Sequence, residues 1–137
     1  MTEYKAWIKN VFDRASSGYG EKGCSFFDYF GERLVELVKP SVNNNILDVA
    51  TGKGAVLFPA AKIVGPKGRA VGIDLSSKMI REATKNVIFP WIELYQMDAE
   101  HLLFPNQSFD IVFCAFALFF FPNIAQALSD NLGFEFK

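Results

Sequence analysis

Apolar residues recur at helical spacing at the start of the chain and then give way to short, solid runs. Tyr4, Trp7, Ile8, Val11 and Phe12 fall three or four positions apart, which predicts an amphipathic helix over residues 3–14. Residues 15–23 are rich in Ser and Gly and read as a loop. A second helix is expected from Ser25, as its N-cap, to Lys39, where Pro40 stops it. Its apolar face would be Phe26, Phe30, Leu34, Leu37 and Val38. Beyond residue 45 the rhythm changes. Ile46–Ala50, Ala70–Asp74, Trp91–Met97 and Phe109–Phe116 are mostly apolar runs that read as strands, and a strand buried on both faces explains the last of them. Between them, residues 55–64 look helical and end at Gly65-Pro66, with Pro59 forcing a kink or a late start. Another helix should run from a cap at Ser76 or Ser77 to about Asn86, and a last one over Ile124–Asp130. Strands alternating with helices predict an α/β fold: a parallel sheet covered on both faces.

Composition narrows the class. Half of the 137 residues are hydrophobic and the net charge is −1. That describes one domain with a real core and no basic surface for nucleic acid. Cys24 and Cys114 lie far apart in unlike contexts and read as free thiols in a reducing compartment. His101 is the only histidine; with no Cys/His cluster, no metal site is expected. The polar start, Met1 to Lys5, carries no apolar leader, which predicts a cytoplasmic chain. Ile111 to Phe121 is eleven uncharged residues, short of the roughly 20 that a membrane helix needs.

The chemistry gathers at strand ends. Asp48, Asp74 and Asp98 each lie at or just past the end of a predicted strand. In an open parallel sheet, ligands bind at those carboxyl ends. A single Asp there usually starts a turn or caps a helix. Three on successive strands, with a Gly loop beside the first, point to a nucleoside site. Gly52 and Gly54 allow close backbone approach and present N–H groups where a helix begins. A dinucleotide fingerprint needs a small residue three positions after Gly54, where Leu57 stands, and a P-loop needs Ser or Thr after Gly52-Lys53, where Gly54 stands. Asp48 would repel a pyrophosphate and favour an aminoacyl ammonium. A nucleoside cofactor without phosphate therefore fits better. Asp74 offers two acceptor oxygens to the two hydroxyls of a ribose, or else caps the helix that follows. Met79 either packs its thioether on a purine or fills the core. Asp98 either accepts from an exocyclic amine or holds a turn.

Together these residues resemble the class I S-adenosylmethionine-dependent methyltransferases, most closely the ubiquinone/menaquinone-biosynthesis type. Asp48 to Gly54 is similar to the family's D-x-G-x-G-x-G loop, with Ala50 in place of the first Gly. Asp74-Leu75-Ser76-Ser77-Lys78-Met79 is similar to its second motif, and Asp98-Ala99-Glu100 through Phe109-Asp110 to its third. Val11 to Tyr19 resembles the family's lid, with Gly20 where an Asp usually follows the Tyr. The resemblance spans residues 7–128. It implies the N-terminal part of a Rossmann-like, doubly wound parallel sheet with about four strands present. A helical lid segment would occupy residues 1–40 and the cofactor-binding core 41–137. It implies S-adenosylmethionine as cofactor. Asp48, Ala50, Thr51, Gly52 and Gly54 would hold the methionine part, and Asp74 the ribose. Leu75 and Met79 would flank the adenine, Asp98 would meet its amino group, and Ala99 would supply backbone. Tyr19 would help close the front, and Ala115 completes the set. The family's sheet has seven strands, and Ser129 to Lys137 lacks its usual Lys-Pro-Gly-Gly turn. A fragment, or a shortened protein with an exposed edge at Phe109–Phe116, would account for that.

Methyl transfer from a sulfonium is an in-line displacement for which a protein mainly supplies proximity and orientation. A general base is needed only when the acceptor must lose a proton. No residue is assigned that role; the resemblance places His101 beside the adenine rather than over an acceptor. The expected activity is methyl transfer to a small, apolar or aromatic molecule. The alternative is a non-catalytic module that binds the cofactor or dimerises. Leu57 and the lack of a Tyr-x-x-x-Lys pair disfavour a nicotinamide-dependent reductase. The expected partners are a small-molecule acceptor and a second copy joined through the open sheet edge, with no nucleic acid and no membrane span.

Overall fold

Among the described residues, four parallel strands carry the molecule: β1 (Asn45–Val49), β2 (Arg69–Asp74), β3 (Ile92–Gln96) and β4 (Ile111–Phe113), side by side in the order β3-β2-β1-β4. Asp48 on β1 stands opposite Gly72 of β2 and Phe113 of β4, and Asp74 of β2 stands opposite Gln96 of β3. The structure is a computed structural model and describes residues 1–18, 25–117, 120, 122, 123, 125 and 129. Among these residues, four helices accompany the strands: α1 (Glu3–Ala15), α2 (Ser25–Val38), α3 (Leu57–Val64) and α4 (Ser77–Thr84).

The apolar runs are explained by burial on both faces. On one face Ile46 and Ala70 pack with Val35 of α2 and Leu57, Ala60, Ala61 and Val64 of α3. On the other, Leu47, Val49, Val71 and Ile73 pack with Leu102 and Phe109 from the connection between β3 and β4. α3 begins at Leu57, so Pro59 falls in its first turn, where a missing N–H leaves no bond unmade. The late start is thus the outcome, rather than a kink. Ser76 is the cap of α4: its hydroxyl accepts from the Met79 amide at 3.1 Å.

Three expectations are corrected. β4 is three residues long, not the eight of Phe109–Phe116. Its pairing on β1 ends at Asp48 opposite Phe113, because β1 itself turns away after Val49. The inner side of α1 is not the whole apolar stripe. Ile8 is buried with Lys5, while Tyr4, Trp7 and Val11 are exposed, because α1 seats on α4 and the sheet end through polar groups. α2 likewise turns Gly31 and Val35 inward and leaves Phe26, Phe30, Leu37 and Val38 exposed. A Cβ at Gly31 would stand 2.3 Å from the Ala55 carbonyl oxygen, so only glycine lets α2 lie this close to the loop before α3. The helix expected over 124–130 falls mostly outside the described residues, as do Tyr19 and Cys24. Among the described residues, no helix is long and apolar enough to cross a membrane.

Candidate functional site

The chain reverses sharply where β1 ends. Ala50, Gly52 and Gly54 all have positive φ, at 56°, 55° and 94°. An alanine is strained there, where glycine is not. Gly54 has a second reason to be glycine, since a Cβ would sit 2.4 Å from the Phe58 ring. The loop is tied to its neighbour strand by Asp74. One carboxylate oxygen accepts from the Gly52 amide and the other from the Ser76 amide, each at 2.9 Å. The carboxylate at the end of β2 therefore fixes both the turn after β1 and the entry to α4.

Asp48 is buried beneath this loop and accepts from the Thr51 hydroxyl at 2.7 Å. Burial, assisted by the nearby charge of Asp74, pushes its carboxyl up to about 7 against the pull of that hydrogen bond. Burial also raises Asp74, against the pull of the Ser76, Gly52 and Leu75 amides. Asp98 behaves oppositely. Burial would raise it, but Lys5, the Glu100 amide and His101 outweigh that and hold it below the usual carboxylate range. Its Oδ2 receives Lys5 Nζ at 2.8 Å and lies 3.2 Å from His101 Nδ1, while Oδ1 accepts from the Glu100 amide at 3.0 Å.

These three carboxylates line a single cavity of about 370 Å³, within the roughly 300–1,000 Å³ typical of small-molecule sites. Ala50, Thr51, Gly52, Leu75, Met79, Ala99 and Ala115 line it as well. Gly54 shapes the turn without reaching the cavity wall. Tyr19 lies outside the described residues. Met79 is both a core residue and part of the wall, so its two readings coexist. Asp74 and Ser76 likewise share the work at α4, the hydroxyl capping the helix and the carboxylate holding the amide before it.

The sequence leads us to expect a helical lid over residues 1–40 but does not single out the side chains of α1 and α2 that line the cavity. Lys5, Ile8 and Phe12 of α1, Phe27 of α2, and Phe116 and Phe120 after β4 all face the cavity. Phe12 meets Phe120 edge-on at 5.3 Å and Phe27 meets Phe116 at 5.5 Å. The site thus has a polar wall at the strand ends and an aromatic front. The only local sign of Lys5 was its spacing, three before Ile8 and seven before Phe12, which places a charge on the side that faces inward.

The wall is rich in acceptors and suits a ligand with hydroxyls, an amine and positive charge. His101 is not among the residues lining the cavity. Burial pushes the Cys114 thiol up to about 12, so it stays protonated at neutral pH and is no nucleophile. Among the described residues, no group of three His, Cys, Asp or Glu side chains could hold a metal ion.

Residues 46–132 match the methyltransferase domain family. The chain is similar to aklanonic acid methyltransferase DauC from Streptomyces sp. (strain C5), with 40% identity over 131 residues, covering 93% of this chain and 60% of the relative. It is 37% identical over 139 residues to the ubiquinone/menaquinone biosynthesis C-methyltransferase UbiE of Bartonella tribocorum, covering 94% of this chain and 54% of that protein. The chain therefore spans little more than half the length of these relatives. A solved SAM-dependent methyltransferase from Aquifex aeolicus has the same fold, with a TM-score of 0.67, 24% identity, and 73% of this chain and 55% of that one covered.

Proposed function

Because the chain belongs to the methyltransferase domain family, we propose that it binds S-adenosylmethionine in the strand-end cavity and serves methyl transfer to a small apolar or aromatic acceptor. One observation carries this reading: carboxylates from three neighbouring strands line one cavity whose front is aromatic. The donor set fits the cofactor. Asp74 already accepts from the Gly52 and Ser76 amides, and its carboxylate keeps lone-pair capacity for ribose hydroxyls. Leu75 and Met79 flank the adenine, and Asp98, with Ala99 beside it, receives the amino group. Asp48, Ala50, Thr51 and Gly52 border the methionine part, with Gly54 shaping their turn. Ala115 closes the wall toward the front; a role for Tyr19 rests on the family resemblance alone.

When bound, this cofactor supplies an electrophilic methyl group on a sulfonium. The protein's share is position and dryness. The rigid loop after β1 and the ring pairs of the front hold two reactants in line and exclude water, which is the main requirement when the leaving group is already activated. Five acidic side chains, of which buried Asp48 is partly protonated at neutral pH, against three lysines on the wall disfavour a phosphorylated ligand. The names of the relatives, on aklanonic acid and in ubiquinone/menaquinone biosynthesis, support a small-molecule acceptor rather than nucleic acid. A cytoplasmic location and a homodimer through the outer edge of β4 belong to the same reading; light scattering at micromolar concentration tests the dimer.

Isothermal titration tests the cofactor. S-adenosylmethionine should bind with micromolar affinity and S-adenosylhomocysteine should bind too. Binding of NADH with S-adenosylhomocysteine ignored would overturn the proposal.

A further inference from the structure

Lys5 is the one buried cation among the described residues, at 8% exposure. Burying an ammonium is expensive unless it is paired. Lys5 is paired twice: Nζ stands 2.8 Å from Asp98 Oδ2 and 2.5 Å from Glu100 Oε2. Both partners lie past the end of β3, 93 or more residues along the chain. Two turns further along α1, Asp13 accepts from the Ser76 hydroxyl and from the Lys78 amide at 3.4 Å. Ser76 caps α4 and follows Asp74 closely, so the helix is fastened at both ends to the rim of the cavity. Eight residues of helix separate the two fastenings, about 12 Å. Between them Ile8 and Phe12 face the cavity.

A buried ion pair contributes little net stability compared with apolar residues of similar volume. The lysine is better explained by what it does to Asp98. Its ammonium stands between the Asp98 and Glu100 carboxylates, 2.8 and 2.5 Å from one oxygen of each. With it, Asp98 is held ionised and fixed in orientation, with Oδ2 occupied and Oδ1 turned to the Glu100 amide. We propose that Lys5 is a positioning residue that sets the adenine-reading carboxylate Asp98, and that its ion pairs latch α1 over the bound cofactor and so govern its release. This rests on the reading of the cavity as the S-adenosylmethionine site. Moving α1 away from the cavity breaks the two Lys5 pairs.

Lys5→Met tests it in the whole chain, with Asp74→Ala as the reference for cofactor binding itself. A fluorescence titration and a stopped-flow chase with S-adenosylhomocysteine give affinity and release rate, and thermal melting without ligand gives stability. Lys5→Met removes the cation from two carboxylates and is expected to melt lower than the parent. Its folded fraction should bind about tenfold more weakly, nearly all of it in faster release. Lys5→Arg should restore most of the loss. A purely structural role would lower the melting temperature and leave the release rate of the folded fraction unchanged. If Lys5→Met does not fold, Lys5→Gln, which keeps most of the stem, replaces it with the same expectations. Release and affinity within twofold of the parent, while Asp74→Ala abolishes binding, overturn the latch and leave the cofactor reading standing. A parent chain that binds no S-adenosylhomocysteine overturns both.

Discussion

The strand-end wall and the helical cover of the cavity are built on different rules. Around the wall, Leu47, Val49, Val71 and Ile73 are almost completely buried; Asp48 is held by the Thr51 hydroxyl and Asp74 by the Gly52 and Ser76 amides, all from the strand-end loops. On the cover, Trp7 is 60% and Leu37 79% exposed, and α1 is held by Lys5 and Asp13 through partners more than 60 residues distant. The wall is fixed by backbone geometry; the cover is fixed by a few side chains. On the proposed reading, the wall would bind the cofactor and the lightly fastened cover would admit and release it, a division of labour suited to turnover.

Substitutions can break or sharpen that contrast. The largest effect should come from Asp74→Ala. Each hydrogen bond to a charged group is worth about 1.5–3 kcal/mol, so losing two ribose contacts should weaken cofactor binding more than about 100-fold. Titration calorimetry reads this, with circular dichroism to show that the fold persists.

Asp48 comes next. Its carboxyl lies near 7 in the folded chain against an ordinary 3.8. The folded state thus holds a proton that the unfolded state has lost. The stability associated with this group is complete below about pH 4 and falls as pH rises to 7, by on the order of 4 kcal/mol. Asp74 acts in the same direction, while Asp98, held low, loses its contribution as pH falls. Urea unfolding of Asp48→Asn beside the parent isolates the one group: the difference should grow in favour of the variant from pH 4 to 7 and then level off. A difference independent of pH would show that Asp48 is ionised throughout.

Gly31→Ala probes the seam between wall and cover. Its new methyl would meet the Ala55 carbonyl oxygen at 2.3 Å, so a loss of about 2–3 kcal/mol is expected in denaturant unfolding, despite alanine's better helix propensity. Ala50→Gly should do the reverse. Relief of a strained φ of 56°, set against glycine's greater entropy loss, should add about 0.5–1 kcal/mol. Trp7→Ser, on the outer side of α1, should change stability by less than about 0.5 kcal/mol. A large loss there would show that the cover is packed like the wall.

The same contrast decides what could be read from the sequence. The strands, the Ser76 cap, the late start of α3 and the convergence of Asp48, Asp74 and Asp98 on one cavity all follow from local signals: apolar runs, a cap residue, a proline, and carboxylates at strand ends. Ala50 marked its own turn by standing where the resembling family has glycine. The inner faces of α1 and α2 were misjudged because apolar spacing shows that a stripe exists, not how much of it a neighbour covers. Gly31 and Lys5 were missed because what defines them is a carbonyl 24 positions away and carboxylates 93 or more positions away. β4 was overextended because an apolar run shows burial, whereas strand length depends on how far β1 remains alongside.

The most direct measurement is a crystal structure of the chain with S-adenosylhomocysteine. The account predicts both ribose hydroxyls within hydrogen-bonding distance of Asp74, the adenine amino group on Asp98 beneath Lys5, and the amino acid end bordered by Asp48 and Gly52. A ligand bound away from the ends of β1, β2 and β3, or bound there with Asp74 untouched, would contradict it.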